Sequence, residues 1–157
     1  MASQILFDLS RFDVDHPIAG PAQIEAVNPH RGAMRQIDAV IWMPEDYTAV
    51  IGYKEVRNDE FWVPGHIPGR PVMPGVMMVE AAAQLASYVM HHRFQNLGFL
   101  GFTGCDEVKF RGQVVPGDRL YLMGKEISFK PRRFICGAQG VVRGKLVFEA
   151  VITAMPI

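Results

Sequence analysis

The stretch FWVPGHIPGRPVMPGVMMVEAAAQLAS, from Phe61 to Ser87, decides the fold. From Gly75 to about Phe94 it contains no proline, and its Met, Val, Glu, Ala, Gln and Leu residues favour a helix. The first two turns are apolar almost all round, and Ala81, Ala82, Ala83 and Ala86 let other backbones come close. Such a helix is expected to be buried rather than to lie on a surface. Ahead of it, Gly65, Pro68, Pro71 and Pro74 stiffen a loop around His66. Proline fixes φ and glycine relaxes steric limits, so this loop can aim an imidazole in one direction while a ligand approaches the backbone.

Outward from the helix the chain reads as strands. CDEVKFRGQV, RLYLMGKEISFK, RFICGAQGVV and KLVFEAVITAM are separated by turn signals at Val115–Asp118, Pro131-Arg132 and Arg143-Gly144. Gly98, Gly101 and Gly104 punctuate the aromatic segment NLGFLGFTG between the helix and these strands. Upstream, PHRGAMRQIDAVIWM and YTAVIGYKEV form a strand pair across Pro44-Glu45-Asp46. A helical turn is expected from Gln23 to Val27, before Asn28-Pro29 stops it. Sequential strands with short connections pair antiparallel. The expected class is therefore α+β, an antiparallel β-sheet wrapped around one long central α-helix. Residues 1–22, with an irregular turn at HPIAGP, read as an N-terminal arm, and residues 23–157 as a single domain.

At 157 residues the chain is long enough to bury a core of its own. Its 16 basic and 16 acidic residues cancel without any block of like charge, which argues against nucleic acid and anionic membrane as partners. No stretch approaches the ~20 apolar residues of a membrane span. Asp8, Arg11 and Asp13 interrupt the early hydrophobes, unlike a signal peptide, so a cytoplasmic location is expected. Cys105 and Cys136 lie in strand-like sequence without metal-ligand spacing and read as two buried free thiols.

Two titratable groups and one amide stand out. Gly75 opens the helix, so its N–H has no intrahelical partner and could bind a carbonyl oxygen that gains negative charge. Glu80 lies a turn and a half further on among Met77, Met78, Val79 and Ala81–Ala83. Burial there would raise its pKa above the usual ~4.3. A neutral His and a protonated Glu suit general base and general acid work. The same two residues also fit a hydrogen-bonded packing histidine and a glutamate held by an arginine, and composition names no substrate.

GHIPGRPVMPGVMMVEAAAQ, Gly65 to Gln84, resembles the active-site signature of the FabZ/FabA-type 3-hydroxyacyl-(acyl carrier protein) dehydratases, and Glu80 resembles the FabZ side. Ile67 stands where that signature usually has phenylalanine. Pro29-His30-Arg31 with Asp38, VKFRGQVVPGDRL from Val108 to Leu120, and GKLVFEA from Gly144 to Ala150 extend the likeness over roughly residues 24–155. The resemblance implies the hotdog fold, with His66 and Glu80 catalytic and Gly75 holding the thioester carbonyl. Val76, Phe61 and Met73 would join Gly75 at the substrate, and Phe99 and Phe102 are further candidates for the acyl lining, or else aromatic core.

It further implies dehydration of a (3R)-3-hydroxyacyl thioester to the trans-2-enoyl thioester in fatty acid or related lipid biosynthesis, without metal or organic cofactor. The substrate would be carried by acyl carrier protein or CoA. The enzyme would be a homodimer with shared active sites, often a trimer of dimers, with His66 of one subunit facing Glu80 of the other. Arg111, Arg132 and Arg133 could meet an acidic carrier protein. His30 reads as structural, His91-His92 as a helix end, and His16 has no assignment. Arg35 and Gln36 stand where the family commonly has leucines and point to a divergent branch. A hotdog acyl-CoA thioesterase and a non-catalytic acyl-binding member are the alternatives.

Overall fold

The computed structural model describes residues 3–157. Six strands form one antiparallel sheet: β1 (Ala39–Trp42), β2 (Ala49–Glu55), β3 (Leu100–Phe110), β4 (Arg119–Lys130), β5 (Arg133–Val142) and β6 (Lys145–Pro156). Their order across the sheet is β1-β2-β4-β5-β6-β3. A short helix, α1 (Pro21–Val27), precedes β1, and the long helix α2 (Gly75–Arg93) lies between β2 and β3. Nineteen residues at ~1.5 Å each make α2 about 28 Å long, enough to cross the width of the sheet.

Alternation along the strands sends one set of side chains to α2. Leu120 and Leu122 of β4, Phe134, Cys136 and Ala138 of β5, and Phe148, Ala150 and Ile152 of β6 pack with Ala81, Leu85, Val89 and Met90 of the helix. The helix is buried almost continuously from Ala81 to Met90, whereas its first two turns, expected to be enclosed, are only partly covered and leave Val76 exposed. Close approach is possible because β2 carries Gly52, where a Cβ would lie 2.6 Å from the Ala39 carbonyl oxygen and 2.8 Å from Leu85 Cδ1.

Three local expectations are corrected. Helix α1 begins at Pro21 rather than Gln23, since proline at the first helical position gives up only an N–H that would be unpaired anyway. The turn at HPIAGP is more ordered than expected, because Ile18 and Ala19 bond to the Val40 backbone beside β1. The glycines after the helix do not break the chain. Strand β3 starts at Leu100 and pairs along β6, with irregularities at Phe102/Gly104 and Asp106/Lys109 that bend it.

Residues 3–15 cross the face of the sheet away from the helix. The Leu6 N–H donates to Gln139 Oε1 at 2.8 Å, and Gln139 Nε2 donates to the Gln4 carbonyl at 3.0 Å. Phe7 and Phe12 pack on Trp42, with ring centroids 5.8 and 5.1 Å away. This cover explains why Gln139, on the outward side of β5, is buried.

Beneath the loop that leads to His66, Lys54 of β2 points into the core and is fully buried. Its Nζ lies 2.7 Å from Glu60 Oε1, an ion contact whose angles fall outside hydrogen-bonding geometry.

Candidate active site

His66 is held by its own loop. Its N–H donates to the Trp62 carbonyl at 2.7 Å, its carbonyl accepts from Val72 N–H at 2.9 Å, and its Nδ1 sits 2.6 Å from the Val72 carbonyl oxygen. A carbonyl oxygen only accepts, so Nδ1 carries the proton and the neutral ring keeps its lone pair on Nε2. The side chain is exposed, and Nε2 has no partner among the described residues. That is an imidazole oriented as a base. The peptide between His66 and Ile67 is cis.

The prolines deliver the chain from this loop to the start of α2. Met73 N–H is fixed on the Val114 carbonyl at 2.8 Å, and Pro74 caps the helix. The N–H groups of Gly75 and Val76 donate to no backbone or side-chain acceptor among the described residues. Gly75 is needed here for space, since a Cβ would stand 2.7 Å from the edge of the Phe110 ring. Phe61 and Val76 are exposed, whereas Met73 is wholly in the core and backs the loop without presenting a surface.

Glu80 departs from expectation. Its side chain is 27% exposed rather than enclosed by apolar neighbours, so one chain alone does not supply the expected desolvation. The carboxylate is instead held by polar groups: Gln84 Nε2 donates to Glu80 Oε1 at 2.7 Å, and His30 Nε2 lies 3.5 Å from the same oxygen. Gln84 is fixed in turn, because its Oε1 accepts from Gln36 N–H at 2.8 Å and its Nε2 also donates to the Met34 carbonyl at 2.6 Å. Asn28 Nδ2 donates to the Gln84 carbonyl at 2.8 Å. Gln36 thus earns its place by a backbone contact to this network, and Arg35 is tied to Glu25 at 3.1 Å and Asp38 at 2.8 Å.

These residues open on a cavity of about 480 Å³ lined by His30, Glu80, Ala83, Gln84, Phe99 and Phe102. Phe99 and Phe102 are exposed at its edge, which excludes the core role for them. A second cavity of about 350 Å³, lined by Met90, Phe94, Leu97, Phe129 and Phe134, shares Leu100 with the first. No residue from 61 to 75 lines the Glu80 cavity, and no hydrogen bond or ion contact among the described residues joins His66 to Glu80. Within one chain the two groups belong to different surfaces.

Other expected residues fall elsewhere. Arg111 is engaged by Glu149, while Arg132 and Arg133 are exposed at the β4–β5 turn. His91 is bound to the Ser87 and Gly98 carbonyls at 2.8 and 3.2 Å, and His92 stacks on Tyr47. Sequence reasoning missed Gln84, His30 and the Val72 carbonyl as parts of the site. Gln84 was findable, since positions four apart share a helix face. A backbone carbonyl leaves no signal in side-chain identity.

An antiparallel sheet wrapped around one long helix, with a histidine loop feeding that helix, defines a hotdog-fold protein. Among solved structures, the dehydratase heterocomplex ApeI:P from Xenorhabdus doucetiae superposes with a TM-score of 0.70 over 85% of this chain and 90% of that one, at 15% identity. The FabA-like domain profile matches residues 28–151, and the chain belongs to that family. It is 37% identical over 132 residues to the 3-hydroxyacyl-(acyl carrier protein) dehydratase FabZ of Streptococcus pyogenes serotype M5 (strain Manfredo), covering 83% of this chain and 94% of the relative. The FabZ of Streptococcus sanguinis (strain SK36) is also 37% identical, over 83% of this chain and 92% of its own.

Proposed function

We propose that this protein is a FabZ-type 3-hydroxyacyl-(acyl carrier protein) dehydratase that acts in fatty acid synthesis through His66, Glu80 and the Gly75 amide. The single observation that carries the residue assignment is the His66 tautomer: Val72 O occupies Nδ1 and leaves a free Nε2 lone pair, on the loop that leads into a helix start with unpaired amides. His66 Nε2 removes the C2 proton. The Gly75 N–H donates to the thioester carbonyl oxygen as it becomes enolate-like, an interaction whose loss costs ~2.7–4 kcal/mol in a comparable site. Glu80 protonates the C3 hydroxyl, which leaves as water, so the products are the trans-2-enoyl thioester, an imidazolium and a carboxylate, which exchange protons with solvent before the next turnover.

Two copies complete the site in this reading. Strand β3 is an edge of the sheet, 11 residues long, with Phe102, Val108 and Phe110 exposed. An edge of that length invites a second strand. Pairing β3 with β3 of a second copy continues the sheet and gives the His66 loop of one chain access to the Glu80 cavity of the other. Phe61 and Val76 then contact the substrate, with Met73 supporting them from the core, and the apolar space beyond Leu100 accommodates a longer acyl chain. Trimers of such dimers and a cytoplasmic location belong to the same proposal. None of the described helices is long and apolar enough to cross a membrane.

The test uses purified protein with 3-hydroxyacyl and enoyl thioesters of acyl carrier protein and of CoA, following enoyl absorbance and free thiol together. Interconversion of the two acyl species is expected, and thiol release without it would mark a thioesterase. His66→Ala and Glu80→Gln should each abolish turnover with the oligomer intact. An active Glu80→Gln enzyme refutes the acid role.

A further inference from the structure

We propose that His30 is a positioning residue of the acid: its Nε2–H, together with Gln84, holds Glu80 Oε1 as an acceptor, so that the proton delivered to the leaving hydroxyl resides on Oε2. This rests on reading Glu80 as the acid. The geometry is over-determined at Gln84. Its Oε1 faces a backbone N–H and its Nε2 faces a backbone carbonyl, so a flipped amide would set N–H against N–H and oxygen against oxygen. The remaining Nε2 hydrogen therefore goes to Glu80 Oε1.

His30 adds the second donor. Its Nδ1 is buried and has no partner among the described residues. A buried N–H without an acceptor is rarer and costlier than a buried lone pair, so Nδ1 is the bare nitrogen and the ring proton sits on Nε2, 3.5 Å from Glu80 Oε1. Gln84 donates to Oε1, and His30 Nε2 faces the same oxygen at 3.5 Å, an ion contact short of a hydrogen bond, so Oε2 is left for the substrate. As negative charge develops on the carboxylate, the Gln84 hydrogen bond strengthens and the His30 N–H is drawn in from contact distance to a second one, which stabilises the transition state more than the ground state.

The other charged groups around this pair are already engaged. Glu25 of α1 is ion-paired with Arg35. The Arg31 guanidinium donates to the carbonyls of Glu25, Asn28 and His30. His91 of α2 is held between the Ser87 and Gly98 carbonyls. None of them substitutes for His30 at Oε1.

The experiment compares the full-length wild type with His30→Phe and His30→Gln in the dehydration assay, with size-exclusion chromatography to match oligomers. Removing a donor from a carboxylate costs the equivalent of about 10- to 100-fold in kcat, with KM within about twofold. It also weakens Glu80 as an acid, so the alkaline limb of the kcat–pH profile, where Glu80 must still be protonated, moves up by about one pH unit in His30→Phe. His30→Gln supplies an amide donor and should recover most of both changes. A His30→Phe enzyme with kcat within twofold of wild type, or slowed with its alkaline limb unmoved, overturns the proposal, as does a His30→Gln enzyme no better than His30→Phe. Independently of any variant's folding, 15N NMR of histidine-labelled wild type should show His30 as the neutral Nε2–H tautomer, and an Nδ1–H tautomer overturns it. Wild type inert toward hydroxyacyl and enoyl thioesters overturns the dehydratase reading and the proposal with it.

Discussion

Replacing Glu60 by glutamine strands a charge beneath the His66 loop. Lys54 and Glu60 have side chains only 1% and 6% exposed, and their charges are 2.7 Å apart. At an effective dielectric of about 20 their attraction is of order 6 kcal/mol. Desolvation costs several kcal/mol per ion, so the pair contributes little net stability, yet removing one partner leaves the other buried and uncompensated. Glu60→Gln is expected to cost about 3–5 kcal/mol, a fall in Tm of roughly 6–20 °C for a chain of this size. Lys54→Met/Glu60→Leu should lie within about 1 kcal/mol of wild type. The single variant should lower kcat as well, because Val63 N–H bonds to the Glu60 carbonyl and Trp62, one residue before, accepts from both Gly65 and His66. Urea unfolding at one fixed protein concentration, on Lys54→Met, Glu60→Leu and their double beside Glu60→Gln, measures the coupling. A Glu60→Gln protein within 1 kcal/mol of wild type, or a double variant as unstable as the single, refutes the argument.

Gly52→Ala drives a Cβ to 2.6 Å from the Ala39 carbonyl, backbone that cannot yield cheaply, and should destabilise by about 1–3 kcal/mol or more in the same unfolding assay. Burial pushes the Cys136 thiol up to about 12, so at pH 8 an alkylating reagent should label only the half-buried Cys105, and slowly, in the native protein; mass spectrometry of the labelled peptides checks this. The Arg111 guanidinium is the main reason the Glu149 carboxyl lies below its ordinary 4.5. A depressed carboxyl contributes stability above its ordinary value and loses it as pH falls through the depressed one. Arg111→Met should therefore reduce stability near pH 7 by about 1 kcal/mol or less, with the difference from wild type vanishing in acid denaturation series.

Much of this was legible in the residues. The bounds of β4 and β5 follow from their turn signals, and the helix from Gly75 follows from its composition, because these depend on local propensity and on periodicities that neighbours in sequence share. The loop glycine and prolines around His66 likewise announced a rigid segment. Strand β3 was less legible: its first residues, with Gly101 and Gly104, look like a break until β6 lies alongside and supplies the hydrogen bonds.

Residue order alone was enough for a buried helix, a stiff histidine loop and a glutamate one and a half turns inside the helix. Which nitrogen of His66 is free came from folding, because it depends on a carbonyl six residues away brought back by the turn of the loop. Folding also places Glu80 on a Gln84 hydrogen bond and 3.5 Å from His30 instead of sealing it among methionines and alanines. Side-chain polarity is written in the sequence, but the partner of a polar atom is set by where the backbone folds, and residues 28 to 36 reach Glu80 only because the chain around α1 packs on α2.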